Sequence, residues 1–276
     1  MRARGPVVLG VAAVLALAGC GDGGGSAPPD PSTSTAAPTA AAADIEDVVV
    51  RVHLVRHGET VQNAKGILAG WADAPLTPDG VEVAAQAGEG LADTAFVAAW
   101  SSDLQRTQET ARGILAAHPD APDLQLDPGL REWWFGGFEG DLAADVFDPL
   151  LEPVGLTGDD LYRDMPGSLA RLGDGRVGAL ADLVAAGDES GLAETGDEIE
   201  ARVSAALDRV VADAAAQGGG DVLVVTHGLA ILSMLDVVGD EEVERTAPGN
   251  VSRTTLTWQD GVWTVDGFDD TGHLVS

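Results

Sequence analysis

The chain has one cysteine in 276 residues, Cys20, so no disulfide can form within it and a cysteine-based metal cage is excluded. Lysine is as rare, with Lys65 alone, and 15 basic residues face 45 acidic ones for a net charge of −30. That imbalance repels phosphate backbones and anionic membrane surfaces. It removes nucleic acid from the expected partners and describes a solvated acidic surface. The patterns that hold metals are also missing. There is no His-Glu-x-x-His, no Cys/His cluster, no paired carboxylate motif flanking the histidines and no twelve-residue calcium loop, so neither a metal nor a cofactor is implied. Gly218, Gly219 and Gly220 precede a strand and lack the spacing of a phosphate-cradling loop, so they read as a turn; Asp174-Gly175 and Asp188 read as surface turns. No internal repeat is present. What the chain does have is apolar material, 45% of its residues, enough for one sizeable core.

The N-terminus carries an address. Arg2 and Arg4 precede an apolar stretch over 7–17, too short to span a bilayer, which ends in Leu17-Ala18-Gly19-Cys20. The tetrapeptide resembles a bacterial lipobox, which implies that 1–19 is a lipoprotein signal peptide and that Cys20 becomes a lipidated first residue. Residues 21–43 are almost wholly Gly, Ser, Pro, Thr and Ala, too poor in apolar bulk to fold, so 20–46 is expected to be the lipidated cysteine and a flexible linker. The expected location is outside the cytoplasmic membrane, anchored by lipid.

The folded domain is expected over 47–276. A β-branched run over 48–55 reads as a strand, and Thr77-Pro78-Asp79 opens a helix to about Leu91, with a hydroxyl cap and a proline in the first turn. A second strand over 96–100 leads to a helix capped by Ser101 or Ser102 and running to about Ala117. An alanine-rich helical pattern over 198–215 precedes a buried-type strand over 221–225, and the tail reads as a hairpin about Gln259-Asp260-Gly261. Alternation of strand and helix predicts an α/β three-layer sandwich with a mainly parallel central sheet and helices on both faces.

Four motifs fall where such a sheet binds ligands, beyond the carboxyl ends of its strands. They are Leu54-Val55-Arg56-His57-Gly58-Glu59-Thr60, Ser102-Asp103-Leu104-Gln105-Arg106-Thr107, Leu130-Arg131-Glu132 and Val225-Thr226-His227-Gly228. An imidazole beside a guanidinium is suited to accepting a phosphoryl group, since phosphoryl transfer asks for an in-line nucleophile and planar cations to offset spreading charge. Each residue alone is weak evidence. Arg106 could be an exposed helix arginine paired with Glu109 or Asp103, and His53, His118 and His273 read as core or surface residues.

Taken together, and in this order, the motifs resemble the histidine phosphatase superfamily, which also contains the cofactor-dependent phosphoglycerate mutases. The resemblance covers about 48–274. It implies that His57 is a nucleophile forming a phosphohistidine, that Arg56, Arg106 and His227 line the phosphate pocket with Asn63 as a further polar contact, and that Glu132 is the general acid and base. Leu130-Arg131-Glu132-Trp133-Trp134-Phe135-Gly136-Gly137-Phe138-Glu139-Gly140 matches the family's glutamate segment, with Glu139 as the competing carboxylate, ranked structural. Trp133, Trp134 and Phe138 serve either core or substrate wall. Residues 141–190, where family members place a helical insertion over the active site, match no motif and leave the substrate open. The chain departs from the family at Val83-Ala84, where many members have Gln-Ala.

The expected function is therefore a phosphomonoester hydrolase, acting on a phosphorylated small molecule and tethered to the membrane. A phosphoglycerate mutase-like phosphotransferase is the alternative enzyme, which an exported chain would serve poorly for want of glycolytic intermediates. A catalytically silent binding lipoprotein is the alternative from another class, and nothing in a scaffold requires His57, Arg56, Arg106, Glu132 and His227 together. The oligomeric state has no signature in the sequence.

Overall fold

A computed structural model of the chain describes residues 48–239 and 246–274. Cys20, the signal peptide expected at 1–19 and the whole of the linker expected at 20–46 lie outside the described residues.

Among the described residues six strands form one sheet in the order β3-β2-β4-β1-β5-β6. The first four strands, β1 Val49–Arg56, β2 Phe96–Ser101, β3 Leu124–Leu126 and β4 Gly220–Thr226, pair in parallel, while β5 Arg253–Gln259 and β6 Val262–Asp270 add an antiparallel hairpin at one edge. The sheet is thus mainly parallel, as the alternation of strand and helix requires. Its hairpin turns at Asp260 and Gly261, both at positive φ (54° and 79°), the left-handed pair that matches strand twist in a two-residue loop.

Helices cover both faces. Val55, Ala99, Leu223 and Val225 point to one side and pack with α1 Pro78–Gly90 and α2 Gln105–Leu115, while Val50, Val52, Leu54 and Val224 point to the other and pack with α7 Gly196–Ala216 and α8 Gly228–Val238. Strands buried on both faces read as continuous apolar runs, which is the pattern of β4 over 222–225, while β1 interrupts it with the exposed Arg51 and the buried His53. Between β3 and α7 the chain inserts α3 Ala143–Leu151, α4 Gly158–Arg163, α5 Met165–Leu172 and α6 Gly178–Gly187, whose Phe147, Leu151, Leu161, Met165, Leu169 and Leu180 join the second face's core.

Helix starts show where local chemistry sufficed. Thr77 caps α1 by accepting from Gly80 N at 3.0 Å, with Pro78 in the first turn, and Thr195 and Glu198 form a capping box that starts α7 at Gly196, ahead of the expected Glu198. The start of α2 departs from expectation. Neither Ser101 nor Ser102 caps it; the preceding residue is Leu104, and the carboxylate of Asp73, from a distant loop, accepts from the backbone N–H of Gln105 and Arg106. Asp188 is likewise no surface turn. It is 7% exposed and accepts from the backbone N–H of Gly137, Ser190, Leu192 and Ala193 and from the Ser190 hydroxyl, tying the end of α6 to the glutamate segment. Burial opposes its charge, and these donors overcome that and hold its pKa well below the usual carboxylate range.

Candidate active site

Strand register brings the histidines together. β1 and β4 lie side by side with Arg56 opposite Thr226, so His57 and His227 leave the sheet at one point, and His57 N donates to Thr226 O at 2.9 Å. Their rings meet edge to face with centroids 5.1 Å apart. On the other side of β4, Ser101 pairs with Val225, which delivers Ser102 to His227.

The His57 ring nitrogen Nδ1 lies 2.8 Å from the Gly58 carbonyl. A carbonyl only accepts, so Nδ1 carries the hydrogen and the neutral ring presents Nε2 as a lone pair, with no hydrogen-bond partner among the described residues. Burial, then the nearby Arg106 and Arg56, push the His57 pKa well below 6.5, and the Gly58 bond offsets this only in part. The ring is therefore neutral at neutral pH, as a nucleophile must be. Gly58 can approach this closely because it is glycine. A Cβ there would sit 2.7 Å from the Gly80 carbonyl oxygen, a contact real side chains do not make.

Arg56 stands beside His57 with Nη1 donating to the Pro248 carbonyl at 2.5 Å and with Nε buried and unpartnered. A buried guanidinium N–H without an acceptor is costly, and an anion in the adjacent cavity supplies the acceptor. Glu132 completes the triangle. Its Oε1 accepts from Trp133 N (3.0 Å) and Ala230 N (2.9 Å) and its Oε2 from Leu229 N (3.1 Å), so the carboxyl caps the N-terminus of α8, which His227 leaves without a side-chain cap. Burial raises the Glu132 pKa, while these amides and the two arginines restrain the rise. A carboxyl held toward its protonated form is suited to giving a proton.

Arg106 and His227 stand together beside His57. Arg106 is fully buried, which excludes an exposed arginine paired with Glu109 or Asp103; Asp103 instead pairs with Arg131. All five guanidinium N–H groups have acceptors inside the protein. Nε donates to His227 Nδ1 (3.2 Å), Nη1 to Ala72 O (3.1 Å) and Asp73 Oδ1 (3.2 Å), and Nη2 to Ala69 O (3.1 Å) and Gly70 O (2.6 Å). Because Nδ1 of His227 accepts, Nε2 carries its hydrogen and donates to Ser102 Oγ at 2.9 Å, which in turn meets Thr107 Oγ1 at 2.7 Å. Burial first, then Arg106, lower the His227 pKa well below 6.5. The pair forms a neutral-histidine, charged-arginine wall beside His57.

That cavity, about 330 Å³, is lined at its base by Arg56, His57, Asn63 and Glu132. Asn63 also accepts from Thr60 N at 3.1 Å, closing the turn after the first motif. Glu139 is structural, accepting from the backbone N–H of Gly70, Trp71, Ala72 and Phe135 and holding the loop whose carbonyls grip Arg106. Trp133 is buried in the core with Nε1 on Ser233 Oγ, Trp134 stacks on Trp71, and Phe138 packs against the core. Sequence reasoning missed Pro248 and Asn250, whose Nδ2 donates to the His57 carbonyl at 3.0 Å; no local pattern marks them. Among the described residues no group of His, Cys, Asp and Glu is arranged to hold a metal ion, and no helix is long and apolar enough to cross a membrane.

Known proteins resemble this chain in sequence and fold. Fructose-2,6-bisphosphatase TIGAR of Bos taurus is 32% identical over 221 residues, 74% of this chain and 82% of that protein. Probable phosphoglycerate mutase GpmB of Yersinia pestis (strain Pestoides F) is 30% identical over 236 residues, 82% of this chain and 95% of its own length. The crystal structure of phosphoglycerate mutase from Bacillus anthracis str. Sterne superposes with a TM-score of 0.74 at 33% identity, covering 83% of this chain and 97% of that one. The model of the histidine phosphatase superfamily (branch 1) matches residues 52–166 and 177–271, which takes in all four motifs. The chain belongs to the histidine phosphatase superfamily.

Proposed function

We propose that this histidine phosphatase hydrolyses phosphomonoesters through a phosphohistidine on His57. The observation that carries the reading is the His57 ring itself, with Nδ1 committed to Gly58, Nε2 free, and an unpartnered Arg56 Nε beside it. In the first step Nε2 forms a bond to phosphorus as the P–O bond to the alcohol breaks, and Glu132 gives its proton to the departing alkoxide. In the second, water attacks phosphorus, the P–N bond breaks, and the water proton returns to Glu132. Arg56 offsets the charge on the equatorial oxygens. Rapid quench at neutral pH of the protein mixed with a labelled phosphomonoester is expected to trap an acid-labile label on His57 that His57→Ala cannot form; label retained in that variant removes His57 as acceptor.

Hydrolysis is favoured over phosphotransfer within phosphoglycerates because a chain exported as Leu17-Ala18-Gly19-Cys20 implies would not meet glycolytic intermediates. The same proposal places the enzyme outside the cytoplasmic membrane, held by a lipid on Cys20, a reading supported by Leu17-Ala18-Gly19-Cys20 and the apolar stretch before it. Cys20→Ser is expected to move the protein out of the membrane fraction with its specific activity intact, and a variant that stays bound at high salt refutes the tether.

A further inference from the structure

The backbone around the nucleophile is held by side chains from distant parts of the chain. His57 N donates to Thr226 O at 2.9 Å, and Gly58 O accepts from the His57 ring at 2.8 Å. The two polar groups between them belong to one peptide plane, and each meets a side chain. Asn250 Nδ2 donates to His57 O at 3.0 Å, and Gly58 N donates to Thr110 Oγ1 at 2.9 Å. A trans peptide points its C=O and N–H in opposite directions, so this plane is gripped at both edges. The roles are fixed by chemistry. Thr110, wholly buried in α2, gives its one hydroxyl hydrogen to Arg106 O at 2.8 Å, which leaves its lone pairs for Gly58, and the His57 carbonyl can only accept from Asn250.

The grip offsets a weakness that packing creates. Gly58 has to be glycine because the Gly80 carbonyl lies where a Cβ would stand, and glycine has the freest backbone of any residue. Its carbonyl nevertheless has to aim at His57 Nδ1. A neutral imidazole carries its hydrogen on either nitrogen, and an acceptor at one of them decides which. With the Gly58 carbonyl turned aside, the hydrogen is free to sit on Nε2, where it takes the lone pair that would attack phosphorus. The turn that carries Asn250 shows strain beside this peptide. Val251, β-branched and fully buried, has φ at 57°, a left-handed conformation that such side chains avoid. Strain of this kind persists where the surroundings over-determine it, and here the same turn ties down the end of β1: Val251 N donates to Arg56 O at 3.0 Å, and Arg56 N to Ser252 O at 3.1 Å.

We propose that Thr110 and Asn250 are positioning residues for the nucleophile, gripping the His57–Gly58 peptide at both edges so that the Gly58 carbonyl keeps the imidazole hydrogen on Nδ1 and leaves Nε2 its lone pair. The proposal rests on the reading of His57 as phosphoryl acceptor and names what holds it in its reactive tautomer. Both residues act through the backbone, so their loss changes how often His57 is ready to attack more than how well a phosphomonoester binds.

The test is nitrogen NMR of the full-length protein with isotope-labelled histidine rings at neutral pH, where protonated and bare ring nitrogens resonate far apart and the His57 signals are identified by their loss in His57→Ala. The wild type is expected to show hydrogen on Nδ1 and a bare Nε2; hydrogen on Nε2 overturns the proposal outright. Thr110→Val keeps the shape and removes the acceptor. It is expected to populate the Nε2–H form and to lower kcat on an alkyl phosphate by about ten- to hundredfold with KM within about twofold, the cost of a misplaced reacting group. Thr110→Ser restores the hydroxyl and is expected to recover the tautomer and bring kcat to within about threefold of wild type. Asn250→Ala is read by the spectrum alone, because Asn250 also lines the cavity; it is expected to populate Nε2–H as well, and it decides the matter if Thr110→Val does not fold. A fall in kcat with hydrogen still on Nδ1 in both variants gives the two residues a merely structural role and overturns the proposal, as does a tautomer and a kcat that neither variant moves. The spectrum needs no turnover. A wild type that releases no phosphate from any ester therefore removes the hydrolase reading, while the tautomers still decide whether Thr110 and Asn250 set the state of His57.

Discussion

Two glutamates seven positions apart, Glu132 and Glu139, each accept three or four backbone N–H bonds, yet only one of them faces the cavity. Position therefore separates the carboxyl proposed as the acid from the structural one, and burial, which raises the Glu132 pKa, keeps more of it protonated at a given pH. Glu132→Gln keeps the shape and removes the proton. It is expected to lose about 10²- to 10⁴-fold on an alkyl phosphate, the usual worth of general acid catalysis, and at least about tenfold less on an aryl phosphate, whose leaving group is stable as an anion. The amide also presents an N–H to the α8 amides in place of one lone pair, so thermal stability should fall by about 0.5–2 kcal/mol, the worth of a helix cap. Equal losses on both esters would move the acid role to Glu59, the other carboxylate on the cavity.

At the level of elements, much was legible because the signals were local. β1 and β4 announce themselves as β-branched runs, α1 by Thr77-Pro78, and the hairpin by Asp260-Gly261, and the motifs at the strand ends place His57, Glu132 and His227 in one neighbourhood. What was not legible depended on distant partners. Nothing near α2 says that Asp73 caps it, nothing in the 69–73 loop says that its carbonyls occupy Arg106, and Asp188 looks like a turn until Gly137 and Ala193 close on it. Arg202 in α7 is another such case. Its five N–H groups reach Glu194 and the carbonyls of Gly129, Arg131 and Glu132, so one helix side chain holds the backbone that carries the acid. Lysine keeps the charge but cannot reproduce the fork. Arg202→Lys should therefore strand one or more carbonyls and lower stability by about 1–3 kcal/mol, read as a shift of the urea midpoint, with kcat falling more than KM rises. An unchanged midpoint would show that the clamp is dispensable.

Across the whole molecule, all five histidines are pushed below the ordinary imidazole pKa, with burial as the largest cause at every one: His53, His57, His118, His227 and His273. Unfolding releases each to about 6.5, so below that pH the unfolded chain binds protons that the native chain refuses. The sign follows. Stability is full above about pH 6.5 and is lost as pH falls from there toward the folded-state values, by up to about 1.4 kcal/mol per pH unit for each histidine that stays neutral in the fold. The net charge of −30 acts in the other direction, since acid protonates carboxylates and relieves their mutual repulsion. Salt separates the two, because 1 M sodium chloride shortens the screening length to about 3 Å and silences surface repulsion while leaving buried imidazoles untouched. In 1 M salt the urea midpoint should be lower at pH 5.5 than at pH 7.5, and the gap should be narrower in dilute buffer, where relief of repulsion offsets the histidines. A midpoint that holds or rises at pH 5.5 in 1 M salt would mean that His57 and His227 take up protons inside the fold, and with that the neutral nucleophile on which the proposed chemistry depends would be lost.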